Sequence, residues 1–210
     1  MPQGYNFPMK NAVTSGALVG NTFLVKEHLG LLKAANNYDI HDPATGAIVM
    51  ECREPRLGFF TKLLRFTEYK RHTPFDVEVR TPQGELIVQV SRGISLFLST
   101  VEVRDGRGTK LGSFKQKLFS IGGAFDVLDE RDDPVCTLKG KWTSWEFSFS
   151  TPQGQELARV TKKWAGLGRE LFTSADNYVL EIGQAVPADS NARRLIIAAV
   201  MCIDMVLKER

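Results

Sequence analysis

Cations and large apolar side chains alternate between residues 53 and 72, so this segment combines electrostatic attraction with an apolar surface. Six cations against two acids leave it with a local charge of +4. The six cations are Arg53, Arg56, Lys62, Arg65, Lys70 and Arg71. If residues 58–66 form a short helix, one side of it carries Phe59, Phe60, Leu63 and Phe66, as in segments that lie in a lipid interface. The pattern predicts a lipid-binding basic patch, and it also fits a crossover helix whose apolar side packs on the protein.

A second group of cations lies beside tryptophans in the second half of the chain. Its members are Lys139, Lys141, Lys162 and Lys163, with Trp142, Trp145 and Trp164. Tryptophan with lysine is a frequent composition at the edge of a bilayer. Lys162 and Lys163 are therefore predicted to bind lipid together with the first basic patch. The alternative is that the tryptophans pack at the rim of a barrel.

Catalytic motifs are missing from the sequence, so no enzyme chemistry and no catalytic residue are predicted. There is no G-x-x-x-x-G-K-[ST] phosphate loop, no G-x-S-x-G nucleophile turn and no H-E-x-x-H zinc motif. The three histidines are scattered over unrelated segments, which does not favour a shared acid–base or metal site. The three cysteines form no C-x-x-C pair, so they predict neither a zinc site nor a disulfide framework and suit a reducing cytosolic interior.

The composition is that of an ordinary globular protein that is large enough to bury one core. The chain has 210 residues, of which 43% are hydrophobic and 24% charged, and its formal charge is +3. This weak positive balance does not favour nucleic acid as a partner, although it allows a local patch that faces anionic lipid. Residues 1–20 are predicted to be a short polar lead and residues 21–210 a single domain. No secretion signal is expected, because the N-terminus lacks a basic start followed by a continuous apolar region. No spanning helix is expected, because no stretch approaches eighteen apolar residues.

Short alternating strands separated by turns make up most of the chain. In residues 75–80 the apolar side chains share one face and the charged side chains share the other. The turn Thr-Pro-Gln-Gly occurs at both 81–84 and 151–154, where proline presets φ and glycine supplies a positive φ. Roughly eleven or twelve such strands predict an all-β fold, either a sandwich or a closed antiparallel barrel without exposed edges.

The closing segment from Leu195 to Leu207 is apolar on every side apart from Asp204. As a helix it would reach only ~20 Å, short of a hydrocarbon layer of roughly 30 Å. A barrel of twelve strands is too wide for its own side chains to fill, since about eight strands already reach that limit. The helix, capped by one of residues 189–191, is predicted to fill it. The predicted buried residues are Leu195, Ile196, Ile197, Val200, Met201, Ile203, Met205 and Val206.

The sequence VTKKWAGLGRELFTSADNYVLEI, residues 160–182, carries the pairs Lys-Trp, Arg-Glu and Phe-Thr and the run Ala-Asp-Asn-Tyr ahead of a strand and the apolar helix. This pattern resembles the phospholipid scramblase family, and the resemblance extends from about residue 36 to the C-terminus. Tubby-like and LURP-one-related proteins are related to that family by shape. The resemblance implies a twelve-strand antiparallel barrel that encloses a hydrophobic C-terminal helix, in agreement with the volume argument.

A calcium-binding segment near residue 176 is also implied by the resemblance. Its candidate oxygen ligands are Asp176, Asn177 and Glu181. The family carries an acid two residues before its aspartate, where this chain has Ser174, and the spacing of an EF-hand loop is absent. Calcium is the one cofactor suggested in this way. The alternative is that Asp176 and Asn177 make turn hydrogen bonds only.

The function implied by the resemblance is binding of membrane phospholipid, through anionic or phosphoinositide headgroups, with movement of lipid between leaflets as the family's activity. The expected location is cytoplasmic, with peripheral attachment to the inner face of a membrane and other proteins as further partners. The palmitoylated cysteine cluster of the family has no counterpart in residues 53–72, which contain no cysteine. The alternative function is a soluble barrel that binds an apolar ligand or a protein and does not scramble lipid.

Overall fold

The computed structural model describes residues 16–27, 37–55, 74–93, 100–117, 124–141, 144–162 and 177–207, and of residues 204–207 the backbone alone. These residues form twelve β-strands, one α-helix and a turn of 3-10 helix at Gly16–Leu18. The elements are β1 (Thr22–Glu27), β2 (Tyr38–His41), β3 (Ile48–Arg53), β4 (Phe75–Arg80), β5 (Leu86–Arg92), β6 (Thr100–Arg104), β7 (Lys110–Gln116), β8 (Ala124–Asp129), β9 (Pro134–Lys141), β10 (Glu146–Ser150), β11 (Glu156–Thr161), β12 (Asn177–Ile182) and α1 (Asn191–Leu207).

All twelve strands form one closed barrel in which each strand pairs with the strands before and after it in the chain. The pairing of β1 with β12 completes the circle and places Thr22 opposite Glu181 and Lys26 opposite Asn177. Every pair is antiparallel, and each described strand has a partner on both edges, so no edge is left to pair with another chain. The predicted closed barrel of about twelve antiparallel strands is confirmed, and the sandwich is excluded.

Tight hairpin turns lie together at one end of the barrel, which we call the hairpin end. After β4, the N–H of Thr81 donates to the Glu85 carbonyl and the N–H of Gly84 donates to the Thr81 carbonyl, both at 2.9 Å. Gly84 has a φ of +90°, which a residue without Cβ adopts at no steric cost. The same two bonds recur in the turns after β6, β8 and β10. Successive strands alternate in direction, so the connections after β1, β3, β5, β7, β9 and β11 belong to the opposite end, the loop end.

Helix α1 enters the barrel from the hairpin end, where β12 finishes and the linking residues 183–190 begin. Ser190 caps the helix, because its Oγ accepts a hydrogen bond from the N–H of Arg193 at 3.2 Å. Six predicted helix residues are at most 3% exposed: Leu195, Ile196, Ile197, Val200, Met201 and Ile203. The residues of this segment whose side chains are not described are Asp204, Met205, Val206 and Leu207. Among the described residues, no helix combines the length and the apolar character that crossing a bilayer requires.

The inward side chains of the strands pack around α1, which approaches β5, β7 and β8 closely. Gly112 of β7 makes this approach possible. A Cβ at that position would overlap the backbone oxygen of Leu128 and would lie 3.0 Å from Cδ2 of Leu195. The helix therefore occupies the volume that twelve strands cannot fill by themselves.

Arg193 is a buried cation that is held by backbone carbonyl groups. Its side chain is 2% exposed, and its guanidinium donates to the carbonyls of Leu18, Gly20 and Val186 at 3.0, 2.7 and 2.7 Å. A further bond goes to Oδ1 of Asn21 at 2.7 Å. Burial lowers the pKa of this guanidinium from its ordinary value, but an arginine in a protein stays charged. One side chain thus joins the chain before β1 to the chain before α1.

The enclosed core gives a prediction for the three cysteines, which are at most 5% exposed. Burial raises the pKa of the Cys52 and Cys136 thiols to about 12 and raises that of Cys202 as well. The thiolate is the reactive form, so the native protein at a pH of about 8 is expected to react very slowly with Ellman's reagent. All three thiols are expected to react at once in guanidinium chloride. Rapid reaction of any of them in the native protein would contradict the enclosed position.

Gly112→Ala tests the close packing of β7 against both β8 and α1. We expect it to lower the free energy of unfolding by about 1 to 3 kcal/mol, because neither the β8 backbone nor the helix can move away without loss of packing. Urea unfolding followed by circular dichroism measures this change. Gly93→Ala is the matched control, since no atom of the described residues lies within 4 Å of a Cβ built there, and it should change stability by less than about 0.5 kcal/mol. Equal midpoints for both variants would show that neither β8 nor the helix packs closely against position 112.

Candidate functional site

A groove of about 650 Å³ opens on the outer wall of the barrel across β9, β10 and β11. We call it the basic groove. It reaches toward the loop end, since β9 finishes and β10 begins there. The side chains that give it its charge and polarity are Lys139, Lys141, Glu146, Ser148, Glu156 and Arg159.

Strand register sets the spacing of the first row of side chains in the basic groove. Lys139 of β9 is paired with Ser148 of β10, and Ser148 is paired with Arg159 of β11. Adjacent strands lie about 4.8 Å apart, so the two cations leave the barrel wall about 10 Å apart. The small Ser148 between them leaves a gap that is flanked by positive charge on both sides.

The second row lies closer to the loop end and combines one cation with one carboxylate. Lys141 of β9 is paired with Glu146 of β10, and both are exposed. In the part of the chain that the structure describes, neither residue forms an ion pair, and the same holds for Lys139. These three charged groups can therefore bind a ligand without breaking an ion pair within the described residues, although the charge of Glu146 also acts on Arg159.

Arg159 differs because it is paired with Glu156, with 3.1 Å between its Nη2 and the carboxylate Oε2. This hydrogen bond is the main reason why the pKa of Arg159 lies above its ordinary value. Both side chains are about half exposed, so the pair contributes little to stability but holds the guanidinium at the groove. Three cations against two carboxylates leave the basic groove with a net charge of +1.

Trp145 forms the corner of the barrel beside the basic groove. Its ring stacks on Tyr178 with 5.8 Å between centroids and meets the edge of Phe147 at 6.2 Å. Nζ of Lys162 lies 4.3 Å from the indole centroid, a distance at which a cation is attracted to the ring face. Trp145 is half-buried and has a φ of +50°, a conformation that costs a non-glycine residue free energy. The aromatic contacts hold this corner, and Lys162 adds a cation to it.

The first predicted basic patch is represented in the structure by Arg53 alone. Its Nη2 lies 2.5 Å from Asp39 and 3.3 Å from Glu51, and its side chain is 33% exposed. This guanidinium is therefore occupied by the barrel wall itself. Lys162 is the second predicted lipid-binding cation that the structure describes, over Trp145. The remaining ones lie outside the described residues: Arg56, Lys62, Arg65, Lys70, Arg71 and Lys163.

Of the three predicted calcium ligands the structure describes two, Asn177 and Glu181, and it does not bring these two together. Asp176 lies outside the described residues. Asn177 is buried and Glu181 is exposed, four residues apart on β12, which separates their Cα atoms by about 13 Å along a strand. Among the described residues, no group of three or more His, Cys, Asp or Glu side chains could hold a metal ion. The calcium site stays a prediction from the sequence.

Sequence reasoning found the lysines of this surface but missed Glu146, Ser148, Glu156 and Arg159. The missing information is cross-strand register. The Thr-Pro-Gln-Gly turn at 151–154 identifies this hairpin but not its register, because a bulge between Phe149 and Ser150 shifts the pairing by one residue and brings Ser148 opposite Arg159.

Comparison with known proteins gives one family. The family described as Scramblase matches residues 18–210. A phospholipid scramblase family protein from Schizosaccharomyces pombe is 27% identical over 158 residues, covering 68% of this chain and 42% of that protein. The altered inheritance rate of mitochondria protein 25 from Saccharomyces cerevisiae is 27% identical over 177 residues, covering 70% of this chain and 51% of that protein. Human phospholipid scramblase 2 is 21% identical over 154 residues, with 67% and 51% covered.

These relatives are longer than the present chain, which spans about half of their length or less. A likeness of fold is seen in an X-ray structure of a protein from Arabidopsis thaliana. It has a TM-score of 0.53 and 14% sequence identity, and the match covers 91% of this chain and 96% of the other. The shared feature is the fold of the whole barrel.

Proposed function

The chain belongs to the scramblase family, and from this membership and the basic groove we propose that it binds phospholipid headgroups at a membrane surface. The observation that carries the proposal is the pair of exposed lysines, Lys139 and Lys141, which form no ion pair within the described residues. By contrast, several other described cations are committed to carboxylates of the barrel wall: Arg53, Arg80, Arg104, Lys110 and Lys117.

Electrostatics support a lipid surface as the binding partner. A cation near an anionic leaflet contributes about 1 kcal/mol, and the attraction decays over a Debye length of roughly 8 Å at physiological salt. Lys139 and Lys141 lie on the same side of one strand, about 7 Å apart, so both can approach one membrane surface together. Trp145 and Lys162 lie next to the groove at the loop end and supply the amphipathic ring and cation that are frequent at bilayer interfaces.

The enclosed position of α1 shapes this proposal. Because the apolar helix lies inside the barrel, it is not exposed to lipid. We therefore expect the outer wall and the loop end to contact the membrane. Headgroups would bind in the groove while the barrel stays folded, and attachment would be peripheral. The family name of the relatives carries the further proposal that the protein accelerates movement of phospholipid between leaflets.

Flotation with lipid vesicles tests binding. Wild-type protein is expected to float with phosphatidylcholine vesicles that contain phosphatidylglycerol and to remain at the bottom with pure phosphatidylcholine. The double variant Lys139→Gln/Lys141→Gln should lose about 2 kcal/mol of attraction, or about thirtyfold in the partition coefficient. The control is Arg107→Gln/Arg131→Gln, which removes the same charge from exposed turns at the hairpin end. Equal loss in both double variants would remove the groove from the proposal, and wild type that never floats would overturn it.

Bleaching of a fluorescent phospholipid by dithionite tests movement between leaflets. Dithionite reaches the outer leaflet alone in protein-free vesicles. If the protein moves lipid, the protected inner-leaflet fluorescence should also be lost over minutes in vesicles reconstituted with wild type and more slowly with Lys139→Gln/Lys141→Gln. Flotation without this second loss would identify a headgroup-binding barrel that does not scramble lipid.

A further inference from the structure

We propose that the basic groove recognises a phosphodiester that carries a primary ammonium group, the chemistry of an ethanolamine-type phospholipid headgroup. This inference rests on the proposed function, in that the groove is taken to bind headgroups. The inference specifies the type of headgroup that the side chains of the groove can bind. The argument comes from the mixed charge of the groove and from the order of its side chains along β10.

The charge of the groove sets the first limit. Lys139, Lys141 and Arg159 face Glu146 and Glu156, which leaves a net charge of +1. A headgroup with several phosphates would place many negative charges beside two carboxylates, and like charges at close range are unfavourable. A single phosphodiester matches the available positive charge. Arg159 is moreover shared with Glu156 at 3.1 Å, which reduces its capacity for additional anions.

The first row of the groove suits the phosphate. Lys139 and Arg159 stand on either side of Ser148, and their long side chains can converge over the small serine. Ser148 is half-buried, and its hydroxyl has no hydrogen-bond partner among the described residues. It can donate to a phosphate oxygen between the two cations. Charge-assisted bonds of this kind are the strong ones in anion recognition.

The second row suits the ammonium. Glu146 lies two residues before Ser148 on the same side of β10, about 7 Å away along the strand. It is exposed and has no ion pair within the described part of the chain. In an ethanolamine headgroup the ammonium is two carbons from the phosphate ester, so it can reach this carboxylate while the phosphate stays over Ser148. A primary ammonium has three N–H donors, whereas a quaternary choline has none and would leave Glu146 without a hydrogen bond.

The decisive experiment separates headgroup choice from general attraction to anionic lipid. Phosphatidylethanolamine is neutral overall, so added binding to vesicles that contain it does not follow from surface charge. Wild type is expected to bind phosphatidylcholine vesicles more tightly when phosphatidylethanolamine is included. Glu146→Gln should reduce that gain by about tenfold in the partition coefficient. The same variant should bind phosphatidylglycerol vesicles at least as well as wild type, because it has lost a negative charge.

Soluble headgroups remove any effect of bilayer packing. Chemical-shift titration of the full chain with glycerophosphoethanolamine should move the amide signals of β9 and β10 at lower concentrations than glycerophosphocholine or glycerophosphoglycerol. Inorganic phosphate should need a higher concentration still, and an equal response to it would identify a free-phosphate site and overturn the headgroup assignment. Glu85→Gln, an exposed hairpin-end carboxylate, should behave as wild type in both experiments, and thermal melts would show that both glutamine variants are folded.

The two proposals fail in different ways. If Glu146→Gln matches wild type on both lipids while Lys139→Gln/Lys141→Gln loses binding to phosphatidylglycerol, the headgroup assignment is overturned and the proposed function stands. If wild type binds neither kind of vesicle and no soluble headgroup, both are overturned. The opposite response of Glu146→Gln to the two lipids supports the assignment, because a purely structural defect would lower both.

Discussion

The guanidinium of Arg193 is the contact on which the architecture depends. It sits in the first turn of α1 and is satisfied by carbonyl and amide oxygens from two separate parts of the chain, the segment before β1 and the segment after β12. A buried charge is tolerated when its donors all find partners. Here the oxygen partners come together when β1 has paired with β12 and α1 has entered the barrel. The same side chain therefore links closure of the sheet to the position of its filling.

Filling of the interior explains why recognition is assigned to the outer wall. The barrel interior is taken up by apolar side chains of the strands and by α1, most of which are buried completely. In the part of the barrel that the structure describes, this filled interior leaves little room for a headgroup. Outward positions, in contrast, alternate along each strand and can carry any charge without disturbing the core. In the basic groove this freedom places lysines, a serine and carboxylates in rows whose spacing is fixed by the sheet.

The fold could be predicted because its determinants are local, and the site could be predicted in part only. Alternation identifies the strands, and the repeated Thr-Pro-Gln-Gly turns identify the hairpins from four residues each. Lys162 could be selected from the local composition. Ser148 and Arg159 could not, because they lie side by side only through the pairing of β10 with β11. The role of Arg193 is harder to predict, because three of its hydrogen bonds go to residues that are more than 170 positions away in the sequence. Periodicity alone cannot show such pairings.

Closure of the barrel through β1 and β12 also constrains the order of assembly. Eleven of the twelve strand pairings join neighbours in sequence, and the twelfth joins the first strand to the last. During synthesis on the ribosome, the strands emerge one after another and hairpins can form as they appear, but α1 emerges after all of them. If β1 paired with β12 before α1 had entered, the closed barrel would surround an empty volume and exclude the helix that fills it. Completion of the barrel therefore waits for α1, and until this helix has entered, the inward apolar side chains of the strands remain uncovered.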